Sequence, residues 1–213
     1  MKTNIKAIIF DMDGVLIDAK DWHYEALNRA LTLFGMEINR YDHLVTYDGL
    51  PTRKKLEMLS IERGLPVSLH TFLNDLKQIY TMEITATRCR PSFQHQYALH
   101  KLKDSGYRIA VCSNSVRASI NLMLQKSSLS QYIDFSLSNE DVKNSKPDPE
   151  IYLKAISKLN ISPQECLIVE DNPNGIAAAR ASKSHVLEVN SVHDVNLSNI
   201  QSAIIKAEEE SNA

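Results

Sequence analysis

The stretch Ile5-Lys6-Ala7-Ile8-Ile9-Phe10-Asp11-Met12-Asp13-Gly14 runs from a short β-branched apolar segment straight into two acids and a turn residue. An apolar run of this length, closed by turn formers, predicts a buried strand that ends in a loop. The pattern recurs over residues 107–112, closed by Ser113-Asn114-Ser115, and over residues 166–169, closed by Glu170-Asp171-Asn172. A weaker strand is expected near residues 133–137, and a fifth over 185–189, after a small-residue helix at 175–181. Helical patterns over 93–103, 115–125 and 149–159 lie between the strands, with Pro149 well placed for a helix start. Strands alternating with helices predict an α/β fold built on a doubly wound parallel sheet. Such a sheet gathers the polar groups at its carboxyl ends into one crevice, so clusters far apart in sequence should converge.

Between the first two convincing strands, residues 15–105 far exceed what a single crossover needs. Residues 20–34, 53–63 and 68–80 carry apolar residues at helical spacing, punctuated by Gly35, Gly49-Leu50-Pro51 and Gly64-Leu65-Pro66. The expected organisation is a core of residues 1–18 and 88–213 with a helical cap of residues 19–87 inserted over the sheet's active end. Near the C-terminus Ser198 can cap a helix through Ile205, whereas Glu208-Glu209-Glu210 oppose the negative end of its dipole and predict fraying.

Composition narrows the partners. The 213 residues are 43% hydrophobic and 23% charged, and 24 Lys plus Arg against 26 Asp plus Glu give a net charge of -2. That balance leaves no basic excess for nucleic acid or an anionic membrane. The apolar run before Asp11 is too short for a signal segment or membrane span. Cys89, Cys112 and Cys166 are scattered without metal-binding spacing, which points to a reducing, cytoplasmic setting. Either a monomer or a small homo-oligomer is compatible with this composition.

Asp11 and Asp13 sit two apart at a strand end, where one carboxylate serves as nucleophile or metal ligand and the other reaches a different part of the same site. The order Asp11-x-Asp13-Gly14, Ser113, Ser145-Lys146-Pro147, Glu170-Asp171 supplies parts for phosphoryl transfer to a carboxylate. An anionic carboxylate must approach an anionic phosphate monoester, and a divalent cation cancels most of that repulsion. Asp11 and Asp171, with Glu170 and the backbone carbonyl of Asp13, are hard oxygen ligands suited to Mg²⁺. Lys146 supplies a fixed charge, Ser113 and loop N–H groups bind phosphoryl oxygens, and Asp13 remains as general acid and base. Ser113 and Asn114 can equally cap the next helix, which does not exclude phosphate binding. Arg53, in the run Arg53-Lys54-Lys55, belongs either to a specificity loop or to a solvated helix start, and His23 either to the pocket or to packing. Leu56, Met58 and Leu59 read as cap core.

Together these residues resemble the haloacid dehalogenase-like superfamily. Residues 11–18 (DMDGVLID) look like its first motif, Ser113-Asn114 its second, Lys146-Pro147-Asp148-Pro149 its third and residues 170–175 (EDNPNG) its fourth. The insertion resembles the helical cap of the β-phosphoglucomutase and phosphoglycolate phosphatase branch. The resemblance implies that Asp11 forms an aspartyl-phosphate, that Asp13 is the acid/base, and that His23 stands where the branch often has histidine. Ala19 replaces the usual Ser or Thr, and Arg90-Pro91-Ser92 stands where Pro-Gly is common. The implied activity is a Mg²⁺-dependent phosphatase for a small phosphorylated metabolite such as a sugar phosphate. Its rivals are a sugar phosphomutase, which the core motifs do not separate from it, and a non-turnover phospho-acceptor module, which the early acidic motif and the cap disfavour. A dehalogenase proper lacks the group that Asp13 supplies.

Overall fold

The computed structural model describes residues 4–210. Strands β1 (Ala7–Phe10), β2 (Arg108–Cys112), β3 (Phe135–Leu137), β4 (Cys166–Glu170) and β5 (His185–Glu188) form one sheet in the order β3-β2-β1-β4-β5, every pair parallel. The chain builds outward from β1 on one side and then returns to its other side, which places the crevice at the carboxyl end of the central strand.

The period-two alternation of strand side chains divides the interior into two layers. Ile8, Phe10, Ile109, Val111, Leu167 and Val169 point to one face, while Ala7, Ile9, Ala110, Cys112, Cys166 and Ile168 point to the other. Five cap segments precede the helices that cover these faces: α1 (Lys20–Thr32), the short α2 (Arg40–Asp42) continuing into a wide turn at His43–Tyr47, α3 (Thr52–Arg63) and α4 (His70–Arg88). The first face is then covered by α5 (Phe93–Asp104), α6 (Arg117–Lys126) and, from the far end of the chain, α9 (Leu197–Glu210). Helices α7 (Glu150–Leu159) and α8 (Pro173–Ala181) cover the second.

The cap has its own small core of Leu27, Leu31, Leu56, Leu59 and Leu73 around the buried ring of Tyr47, with Met58 packed at its edge. Two expectations need correction. Helix α4 continues to Arg88 instead of stopping near Tyr80, because Ile84 stays buried and the Arg88 guanidinium grips Glu25 of α1 through two bonds of 2.6 and 3.0 Å. Helix α9 continues through Glu210: Ala207 is buried, Lys206 pairs with Glu210, and Glu208 accepts the Ile5 N–H at 3.1 Å, so tertiary contacts override the dipole. Fraying beyond Glu210 concerns residues outside the described ones. Of the two readings left open for the run Arg53-Lys54-Lys55, a solvated helix start does not describe Lys55, which is buried. Among the described residues no helix is long and apolar enough to cross a membrane.

Candidate active site

The strand ends converge as the topology requires. Asp11 follows β1, with its N–H bound to Val169 of β4 at 3.0 Å. The next residues fold into a tight loop in which Gly14 donates to Ile17 at 2.7 Å and Ile17 donates back to Met12 at 2.9 Å. Gly14 adopts φ +97, and a Cβ there would strike the Asp171 carboxylate, so glycine is needed on both conformational and steric grounds.

Lys146 reaches under this loop from the segment before α7. Its ammonium donates to Asp11 Oδ1 at 2.7 Å, to the Cys112 carbonyl at 2.8 Å and to Glu170 Oε1 at 2.6 Å. An ammonium has three N–H groups, and here the protein engages all of them. Lys146 thus fixes one oxygen of Asp11, rather than acting as a free charge, and flanking carboxylates hold its own proton firmly above the ordinary lysine range despite burial. Glu170 also accepts the Tyr152 hydroxyl at 2.6 Å and the Asp171 N–H at 3.0 Å.

Oxygen atoms of Asp11, Glu170 and Asp171 lie within 4.8 Å of one another. Burial pushes the Asp11 carboxyl well up, against the pull of Lys146, and Glu170, Asp13 and Asp171 push it further. Burial likewise raises Asp171, whose oxygens are buried with no aligned hydrogen-bond donor although the Lys20 ammonium lies against Oδ2. Crowded carboxylates, the orphaned Asp171 oxygens among them, and an all-oxygen donor set fit a hard divalent cation.

The carboxylate of Asp13 turns away from that cluster. His23 Nε2 lies 3.0 Å from Oδ1, while the Ser115 and Ser113 hydroxyls donate to Oδ2 at 2.7 and 3.4 Å. On the far side of the imidazole, Lys77 Nζ of α4 lies 3.1 Å from Nδ1. A protonated Lys77 donating to Nδ1 leaves Nε2 carrying the proton toward Asp13. Burial alone would raise Asp13, but the His23 ring and the Ser115 hydroxyl bring it down to about 2. Burial pushes Lys77 down to about 7, helped by nearby Lys55.

Asn114 joins core to cap: its Oδ1 accepts the Lys146 N–H at 3.1 Å and its Nδ2 donates to the Gly49 carbonyl at 3.4 Å. Gly49 has φ +71 and its Cα packs so close to Asn172 that a Cβ would sit 2.4 Å from Oδ1, while the Asn172 amide donates to Asp48 at 3.2 Å. The cap is therefore seated over the carboxylates and encloses a cavity of about 530 Å³. Asp11, Asp13, His23, Ser113, Asn114 and Lys146 all line it. Arg53 stands at its mouth, 89% exposed at the side chain, and turns to Glu57 at 3.1 Å.

Sequence reasoning did not single out Lys77, Ser115, Lys20 or Tyr152. The helix expected over 115–125 starts only at Arg117, which frees the Ser115 hydroxyl for Asp13.

The haloacid dehalogenase-like hydrolase family model matches residues 8–189. The phosphorylated carbohydrates phosphatase of Thermotoga maritima is 28% identical over 178 residues, covering 84% of this chain and 82% of that protein. The phosphoglycolate phosphatase of Aquifex aeolicus is 28% identical over 176 residues, covering 83% and 80%. The β-phosphoglucomutase of Clostridium difficile superposes with a TM-score of 0.81 at 24% identity, covering 95% of this chain and 98% of that one, and so shares the fold. With the match extending from β1 past β5, the chain belongs to the haloacid dehalogenase-like hydrolases.

Proposed function

We propose that the protein is a Mg²⁺-dependent phosphatase of small phosphorylated metabolites, of the sugar-phosphate kind, working through an aspartyl-phosphate on Asp11. The carrying observation is that Asp13 is held apart from the carboxylate cluster, at the end of a line of groups running Lys77, His23, Asp13. That separation gives two aspartates two residues apart different work: one faces phosphorus, the other handles protons. The similarity to a phosphatase of phosphorylated carbohydrates supports the substrate kind.

Asp11 and Asp171, with Glu170 and the Asp13 carbonyl, would hold Mg²⁺, which when bound neutralises charge on the phosphoryl oxygens. Asp11, fixed at Oδ1 by Lys146, attacks phosphorus, and the bond to the leaving oxygen breaks. The leaving oxygen takes a proton from Asp13. Asp13 is ionised at rest, so that proton arrives from His23 Nε2 as Lys77 passes one to Nδ1. In the second half Asp13 accepts a proton from the water that attacks the aspartyl-phosphate, and the reverse transfer returns it to Lys77. One water enters, alcohol and phosphate leave, and every proton is accounted for. Ser113 and neighbouring loop N–H groups bind the remaining phosphoryl oxygens, and the seated cap excludes bulk water and large substrates. The free, buried cysteines support a reducing, cytoplasmic setting.

The test is phosphate release from a panel of sugar, polyol, nucleotide and short-acid phosphates, with and without Mg²⁺, using Asp11→Asn as control. Metal-dependent release by the wild type, with turnover abolished in a folded Asp11→Asn, is expected. Full activity in Asp11→Asn would remove the nucleophile assignment, and an isomeric phosphate appearing in place of free phosphate would identify a mutase.

A further inference from the structure

Lys55 has no part in the chemistry above. It projects from the first turns of α3, is only 7% exposed, and has no ion-pair partner among the described residues. Asp48 and Asp13 pull on its charge without pairing with it, and Asp48 is itself engaged by Asn172 at 3.2 Å and lies 3.8 Å from the His43 ring. The residue lines the cavity on the cap side, together with Asp48 and with Thr71, Asn74 and Gln78, which offer neutral hydrogen-bonding groups. A buried ammonium without a counter-charge is unfavourable unless something supplies one.

The geometry fixes where that something would sit. The phosphoryl group must lie on Asp11, at the floor, with its leaving oxygen near Asp13. The remainder of the substrate then extends toward the cap, where Lys55 stands. We infer that Lys55 is a specificity-determining residue that binds a second anionic group, a carboxylate or a phosphate, carried by the leaving group of the substrate. The inference rests on the phosphatase reading and names its substrate class: phosphomonoesters with a second anion, not simple sugar or polyol monophosphates. The electrostatics agree with the geometry. Burial pushes Lys55 down to about 8 against the pull of Asp48 and Asp13, and its charge lowers Lys77 and the His43 ring in turn, so the two acids offset the positive charge at this end of the cavity only in part. Arg53, exposed and paired with Glu57, leaves Lys55 as the cation of α3 that faces the enclosed space.

The experiment compares initial rates on matched pairs: glucose 1-phosphate with glucose 1,6-bisphosphate, and glycerol 3-phosphate with 3-phosphoglycerate. Wild type, Lys55→Met and Lys55→Gln are measured together, with melting temperatures as fold control. The wild type should favour the doubly anionic member of at least one pair by roughly 10- to 100-fold in kcat/KM, the size of one charge-assisted hydrogen bond, chiefly through KM. Both variants should lose most of that preference, and the pair in which it is lost tells a carboxylate from a phosphate. Should one variant fail to fold, the other carries the comparison. Equal kcat/KM within both pairs, or a preference that survives both substitutions, overturns the role of Lys55. Absence of phosphate release from every member overturns the phosphatase reading, and the inference with it, which keeps the two failures distinct.

Discussion

Gly175→Ala sets two well-understood effects against each other. Gly175 lies in the first turns of α8, where helix propensity alone favours alanine by about 1 kcal/mol. A Cβ at this position, however, would stand 1.8 Å from Glu170 Oε1 and 2.1 Å from its Cδ. Adjustments of a few tenths of an ångström do not relieve such an overlap, so the Glu170 carboxylate must leave its place. It is held there by Lys146 and Tyr152, each at 2.6 Å. Hydrogen bonds to a charged group contribute roughly 1.5–3 kcal/mol each, so losing both outweighs the propensity gain by about 2–5 kcal/mol. At about 2–4 °C per kcal/mol for a chain of this size, the melting temperature should fall by roughly 4–20 °C. Turnover should fall by roughly 10- to 100-fold or more, since Lys146 loses a partner while positioning Asp11. Differential scanning calorimetry and phosphate release on the same preparation measure both. A Gly175→Ala protein that melts at or above the wild type with unchanged turnover would refute the reasoning, because propensity would then have won and Glu170 would not be the fixed post described.

Three other outcomes follow from the same geometry. Tyr152→Phe removes one donor from a buried carboxylate and should cost about 1–3 kcal/mol, read as a lowered midpoint in urea; an unchanged midpoint would mean the bond contributes nothing. Gly49→Ala should lower kcat/KM by roughly 10- to 100-fold and the melting temperature by a few degrees, since φ +71 strains a Cβ and its contact with Asn172 lifts the cap loop; wild-type kinetics would show that this contact does not position the cap. Lys77, facing His23, Asp13 and Lys55, is brought to about 7 when folded, but titrates near 10.4 when unfolded. Between those values the unfolded chain binds more protons, so stability should rise as pH increases from about 7 to 10. Lys77→Met should be more stable than wild type at pH 7 and should flatten that rise; an equally steep rise in the variant would contradict the burial of this ammonium.

What could be read in the sequence was what strand geometry dictates. Asp11, Ser113 and Glu170 each terminate an apolar run, and a parallel sheet leaves such residues no place but the crevice at its carboxyl edge. The cap was legible as helices yet not as chemistry. Lys77 falls on the buried stripe Leu73, Lys77, Thr81, Ile84 of α4, and a charge in the middle of an apolar stripe was a readable signal. Lys55 was masked by its neighbours: Arg53 and Lys54 are exposed, while Lys55 lies four residues before the buried Leu59 on the inner side of α3. Tyr152 occupies an ordinary core position of α7, and only the fold reveals that its hydroxyl ends at Glu170. Partner choice across elements distant in sequence leaves no periodic trace.

The two cap lysines also bear on how the enzyme closes. Asp11 and Asp13 come from the core, whereas Lys55 and Lys77 come from the cap, so the full set of charges exists only while Gly49 rests on Asn172 and Asn114. In that arrangement burial depresses both ammoniums, which is to say that the closed cap is electrostatically unfavourable around them. A cap that swings away would return both to water and remove the penalty. A substrate with negative charge at each end removes it differently, by supplying counter-charge inside the closed cavity. Substrate charge would then favour closure in proportion to how well it meets Lys55, and a neutral leaving group would gain no such assistance. Binding energy from a part of the substrate remote from phosphorus would thereby be converted into assembly of the proton line on Asp13, raising kcat as well as lowering KM. That coupling separates a lysine that recognises substrate from one that merely tolerates burial: in Lys55→Met the doubly anionic substrates should show a raised KM and some loss of kcat, whereas a purely structural lysine would change stability and leave the ratio between paired substrates where it was.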